Sequence, residues 1–131
     1  AARPPKAGQA QALAEKAASY LKAQGFERAA EQFQRSQGPF RKKELYIFVL
    51  DLNGTLVVNG ARPQMIGSTL GDLKDPDGKS FAKEIVNGAK AKGSGWIDYK
   101  WTNPETKKVS LKTTYYVKAG DYVVCCGAYK N

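Results

Sequence analysis

The stretch YIFVLDLNGTLVVNG, Tyr46–Gly60, decides the fold. Residues 45–50 are an apolar, β-rich run. Asn53-Gly54 follows, the strongest short-range hairpin signal, and residues 55–59 supply a return strand. In DLNG, Asp51 at the first position and Gly54 at the fourth fit a type I turn, whose own N–H groups the carboxylate can accept. Strands joined this tightly are antiparallel, because a parallel pair needs a crossover of about a dozen residues or more.

The same letters resemble the nucleophile loop of haloacid-dehalogenase-type phosphatases, where a carboxylate attacks phosphorus. That chemistry needs an acid two residues after the nucleophile, and here the position is Asn53. It also needs late carboxylates for Mg²⁺, an oxygen-ligated cation. The acidic residue found after Glu105 is Asp121, in a predicted turn. The chain has no His, which removes the usual general base and any Ser-His triad. GSGW, residues 93–96, leaves a helix and enters a strand, the reverse of a phosphate cradle. These residues argue against an enzyme and leave Asp51 a turn residue.

Working outward, residues 1–8 are rich in Pro, Gly and Ala and read as a flexible lead-in to one domain, 9–131. The first residues, Ala1-Ala2-Arg3, lack Met and fit a processed, exported product. Leu13, Ala17, Tyr20 and Leu21 recur at helical spacing within residues 9–34, with a break expected at Gly25-Phe26. Residues 62–78 read as mostly loop, with a short helix near 65–73. Residues 79–92 carry Phe81, Ile85, Val86 and Ala89 on one helical side, with Asp77 as the expected cap. Strands are expected at 95–101, 108–118 and 122–129, separated by turns at 102–106 and 119–121. Helix first, then strands without βαβ alternation, predicts an α+β fold with a five-stranded antiparallel sheet.

The 131 residues carry 21 Lys and Arg against 12 Asp and Glu, a net charge of +9. The basic residues are dispersed, and none of their groupings resembles a nucleic-acid motif, so a solvated basic surface is expected and no nucleic-acid partner. No apolar run approaches the roughly 20 residues of a membrane span. Cys125 and Cys126 are adjacent and point to opposite faces of a strand. They read as small, half-buried residues; no metal site and no cofactor is expected.

The last three strands are loaded with aromatics: Trp96, Tyr99, Trp101, Tyr115, Tyr116, Tyr122 and Tyr129. Alternation gives Ile97, Tyr99 and Trp101 one face, and gives Lys112, Thr114 and Tyr116 one face of the next strand. A lysine inside a central strand has to pair with something or bind an anion, because unpaired buried charge is costly. The pattern equally fits an edge lysine whose head reaches water.

YIFVLDLNGTLV, MIGSTLGDLKDPDGKSFAKEIV, GSGWIDYKWTNPETKKVSLKTTYY and YVVCCGAY together strongly resemble a single Cache domain. These are PAS-like extracytoplasmic sensor domains of bacterial chemoreceptors and sensor kinases, also found as free-standing secreted proteins. The resemblance implies a long N-terminal helix on one side of the sheet and a pocket on the other. A helical insert, residues 60–94, between the second and third long strands closes that pocket. It implies a periplasmic or extracellular sensor that binds a small organic acid or similar polar ligand. A membrane-bound receptor or kinase is the implied partner, and two copies could pair through the N-terminal helix. A partner-binding protein with a degenerate pocket is the alternative. By motif position Lys112 would pair with the ligand, Tyr99 would donate a hydrogen bond, and Trp101 and Met65 would form apolar walls. Thr114 and Asn59 complete the implied set. Asn59 stands where many relatives carry His, and Cys125-Cys126 stands where they carry small residues.

Overall fold

The computed structural model describes residues 3–130. Helix α1, Ala7–Gln24, buries Ala10, Leu13, Ala14, Ala17, Ala18 and Leu21 along one stripe. The small residues let the helix axis lie close to the sheet. Gly25 ends α1 with φ of 86°, a conformation that suits a residue without Cβ, and α2, Phe26–Phe33, restarts the helix at a new angle. The expected break at Gly25-Phe26 is therefore where the chain turns.

The strands are β1, Arg41–Lys42; β2, Leu45–Asp51; β3, Leu56–Asn59; β4, Ser94–Thr102; β5, Val109–Ala119; and β6, Tyr122–Tyr129. All pairings are antiparallel, in the order β1-β2-β6-β5-β4, with β3 also paired to β2. The five long strands match the expectation. The sixth, β1, is a two-residue strand with too little alternation to register in the sequence. The first long strand and the last are neighbours: Ile47 pairs with Cys126 and Asp51 with Tyr122.

The DLNGT turn is built as its residues predict. Gly54 N–H donates to the Asp51 carbonyl at 3.0 Å, and Asp51 Oδ1 accepts from Asn53 and Thr55 N–H, each at 2.9 Å. Both carboxylate bonds hold a turn, so Asp51 is committed to structure.

Alternation along the strands divides the core in two. Leu45, Ile47, Val49, Tyr115, Val124, Cys126 and Ala128 pack under α1 and α2. Tyr46, Phe48, Leu50, Ile97, Tyr99, Tyr116, Val123, Cys125 and Tyr129 face α3, Phe81–Lys92, and the insert.

Several local expectations need correction. No helix forms over 65–73; the insert instead makes a single 3₁₀ turn, Pro63–Met65, and then pairs irregularly with β3 through Leu56 N–H to Ser68 O and Gly67 N–H to Leu56 O, each 2.8 Å. Helix α3 starts at Phe81, with Ser80 at its N-cap, so Asp77 does not cap it. Asp77 pairs with Lys100 across the loop at 2.9 Å. Of the expected lead-in, Pro4 is buried, Ala7 N–H donates to Pro4 O, and Lys6 meets Glu44 at 2.7 Å. The two cysteines are wholly buried rather than half-buried, since β6 is covered on both faces.

Candidate functional site

Lys112 lies in β5, between β4 and β6, and is 1% exposed. It is neither on an edge strand nor reaching water. Its ammonium is ringed by aromatic faces, with Tyr46, Phe48, Tyr129 and Tyr99 centroids 4.5, 5.0, 5.3 and 5.7 Å away. Such faces carry partial negative charge and stabilise a desolvated cation. Among the described residues no carboxylate pairs with it.

Lys112 Nζ donates to Tyr46 Oη at 3.0 Å. Tyr129 Oη donates its proton to the Thr102 carbonyl at 3.1 Å. The 3.4 Å contact between the two phenols therefore runs from Tyr46 to Tyr129. The chain of donors points away from the ammonium throughout, so each phenol presents its oxygen toward positive charge. Burial opposes the Lys112 charge, but the phenol oxygens of Tyr129, Tyr46 and Tyr99 outweigh it and hold its pKa well above the ordinary lysine value. Burial in turn pushes the Tyr99 phenol up to about 12, against the pull of Lys112. One Lys112 N–H is spent on Tyr46, and an ammonium has two more.

A cavity opens onto this ammonium, lined by Tyr46, Phe48, Asn59, Met65, Tyr99, Trp101 and Lys112, with Leu50, Leu56, Leu73 and Phe81 as further apolar wall. Five predicted site residues, Lys112, Tyr99, Trp101, Met65 and Asn59, thus meet around one space. Phe81 from α3 stacks on Tyr99 at 4.2 Å and meets Trp101 edge-on at 5.1 Å, fixing both rings. Met65 arrives on the 3₁₀ turn, its unbranched side chain able to repack. The cavity volume is about 10 Å³, close to what one water needs.

Thr114 does not line the cavity. It is wholly buried behind Tyr99, and its Oγ1 lies 3.0 Å from Tyr99 Oη. If Thr114 donates, the Tyr99 hydroxyl proton is free to point elsewhere. Asn59 has spent its oxygen: Oδ1 accepts from Ala61 and Arg62 N–H at 2.9 and 2.8 Å, which leaves its amide nitrogen for other contacts.

Two aromatic residues around Lys112 escaped the sequence reading, Tyr46 and Phe48, and Phe81 was read as a helix-face residue rather than as a wall of the cavity. Tyr129 was visible as an aromatic but not as a partner; its signal is the β5–β6 turn, which sets Lys112 opposite Tyr129. Gly127 was missed as well. A Cβ there would overlap Lys112 Cε and Thr114 Oγ1 and stand 3.0 Å from Lys112 Cγ, so glycine is what lets both side chains lie across β6.

The family model for single Cache domain 2 matches residues 9–131. The chain belongs to that family. The Cache domain is 35% identical over 89 residues to the sensor histidine kinase MctS of Rhizobium johnstonii, a match covering 66% of this chain and 19% of the kinase. It therefore spans about a fifth of that relative. Among solved structures, it resembles a periplasmic sensor domain of a chemotaxis protein at TM-score 0.70 and 26% identity, covering 95% of this chain and 90% of that one. It also resembles a Cache chemosensory domain described for carboxylic acid recognition, at TM-score 0.71 and 20% identity over 95% and 88% of the two chains. Cache domains are extracytoplasmic, non-catalytic ligand-binding modules of chemoreceptors and histidine kinases. Among the described residues no helix is long and apolar enough to cross a membrane, and no cluster of His, Cys, Asp or Glu could hold a metal.

Proposed function

We propose that this Cache domain senses a small carboxylate outside the cytoplasm, as the sensor portion of a chemoreceptor or kinase or as a free-standing periplasmic binder. The observation that carries the reading is Lys112: a buried ammonium facing a cavity, ringed by aromatic faces and paired with no carboxylate among the described residues. A ligand carboxylate would take its two remaining N–H groups, and the Tyr99 hydroxyl would donate a third bond. Trp101, Met65 and Phe81 would cover an apolar tail, which favours short monoacids over larger polar ones. A structural relative is described for carboxylic acid recognition, in keeping with this chemistry.

The cavity volume of about 10 Å³ requires the pocket to widen on binding. Movement of Met65 and its 3₁₀ turn is the least costly way, because that segment is held by turn bonds rather than by the sheet ladder. The same small volume favours a second reading, a partner-binding protein whose pocket has closed permanently.

Thermal denaturation with two- to four-carbon monocarboxylates, and with their primary amides as uncharged controls, separates the two. Acids raise the Tm of the wild type, amides do so less, and Lys112→Met abolishes the effect while remaining folded. A panel that moves nothing leaves the closed-pocket reading; a Lys112→Met shift equal to wild type removes Lys112 from the site.

A further inference from the structure

We infer that an anionic ligand reaches Lys112 through a second, outer cavity in which Arg62 and Lys74 gather it, with Trp101 as the partition between the two spaces. This rests on the carboxylate reading above. The outer cavity has a volume of about 250 Å³ and is lined by Arg62, Lys74, Asp75, Pro76, Trp101 and Thr102. Trp101 lines both cavities, so its half-buried indole is the shared wall. The Thr102 carbonyl, at the outer wall, terminates the Tyr129–Tyr46 chain that begins on Lys112.

Both cations ride on backbone fixed by a buried side chain. Asn59 Oδ1 binds Arg62 N–H, so the residue that ends β3 sets where Arg62 leaves the chain. Asp75, next to Lys74, accepts Asp77 and Lys79 N–H on Oδ1 at 2.9 Å and Lys100 N–H on Oδ2 at 3.1 Å. The last bond clips the loop to β4 one residue from Trp101. Asp75 is the carboxylate in the lining, and both its oxygens face backbone donors rather than the cavity. The mouth thus presents two side-chain cations against one carboxylate already engaged. Low-dielectric walls focus such a field and raise the capture rate of small anions.

The test is line-shape analysis of the propionate methyl resonance, which gives association and dissociation rates, in wild type and Arg62→Gln/Lys74→Gln. At about 10 mM salt the double variant is expected to take up propionate three- to tenfold more slowly, and the difference should vanish at about 500 mM, where charges farther apart than a few ångströms are screened. Arg62→Lys should keep the wild-type association rate and salt dependence. Ligand-free Tm values reveal any folding defect, because a packing fault would persist at high salt. The same line shapes test the partition: Trp101→Leu should raise the association and dissociation rates together, whereas loss of a ligand contact alone would raise only dissociation. Equal association rates at low salt overturn this access route and leave the Lys112 site standing. A wild type that binds no monocarboxylate overturns both.

Discussion

Gly127 lies directly beneath the Lys112 side chain, so that a single methyl on Gly127 would occupy the space of Lys112 Cε. The pairing sets a limit on the site: the lysine can cross β6 only where β6 has no side chain. Gly127→Ala is expected to destabilise the domain by about 1–3 kcal/mol, the range for overpacking a filled core. In a Lys112→Ala background the cost should fall, because the Lys112 atoms that clash are gone and only Thr114 Oγ1 remains in the way. Denaturant unfolding of the four proteins gives the coupling; additive costs would show that Gly127 is constrained by something else.

Lys112→Met should cost a carboxylate ligand about 2 kcal/mol or more, the scale of charge-assisted hydrogen bonds. Its effect on the ligand-free fold should be modest, since an apolar chain of similar volume refills the space while the aromatic cage gives up the charge it stabilises. Titration calorimetry measures the first effect and unfolding the second.

Ligand affinity should be flat between about pH 6 and 9. The chain has no His, the Tyr99 phenol is pushed up to about 12, and Lys112 is held above its ordinary value. A raised lysine keeps its charge at every pH below that value and loses it only as pH climbs through it. On the acid side, affinity falls where the ligand's own carboxyl protonates, below about pH 5. A step near pH 6.5 would mean that another titrating group holds the ligand.

Asp75 anchors the insert to β4, and Asp75→Ala should cost about 1–3 kcal/mol, because three N–H donors lose their acceptor. Burial pushes the Asp75 pKa up, but the bonds from Lys100, Lys79 and Asp77 outweigh it and hold it below 3.8. Its contribution is therefore complete above pH 3.8 and fades as pH falls through the lower, folded value. Acid titration of wild type and Asp75→Ala should show their stabilities converging below that point.

Cys125 and Cys126 should resist thiol reagents in the native state and react at once on unfolding. Both are fully buried, and burial pushes the Cys126 thiol up to about 12 and the Cys125 thiol well above its ordinary value. Labelling in native buffer and in denaturant measures the contrast.

The sheet was legible because its signals are local. Asn53-Gly54 fixes one hairpin, Ala119-Gly120-Asp121 another, and strict alternation in residues 96–101 assigns faces. The insert was less legible because its order comes from side-chain-to-backbone bonds: Asp75 to three separate N–H groups, Asn59 to two. Those partners lie up to 25 positions apart and leave no periodicity. The same holds for the site. Tyr99, Trp101 and Lys112 share adjacent strands and could be grouped by register. Tyr46 meets Lys112 across 66 positions, through a β2–β6–β5 adjacency that no turn residue announces.

That adjacency also governs when the fold can form. The seam joining the two halves of the sheet is made between Ile47–Asp51 and Tyr122–Cys126, pairs that lie 71 to 79 positions apart in the chain. Until β6 is available, β2 keeps one unpaired edge and the aromatic cage around Lys112 lacks its Tyr129 wall. Contacts of such long sequence separation are slow to form. Docking of the final strand should be the late event of folding, with recognition chemistry appearing only then.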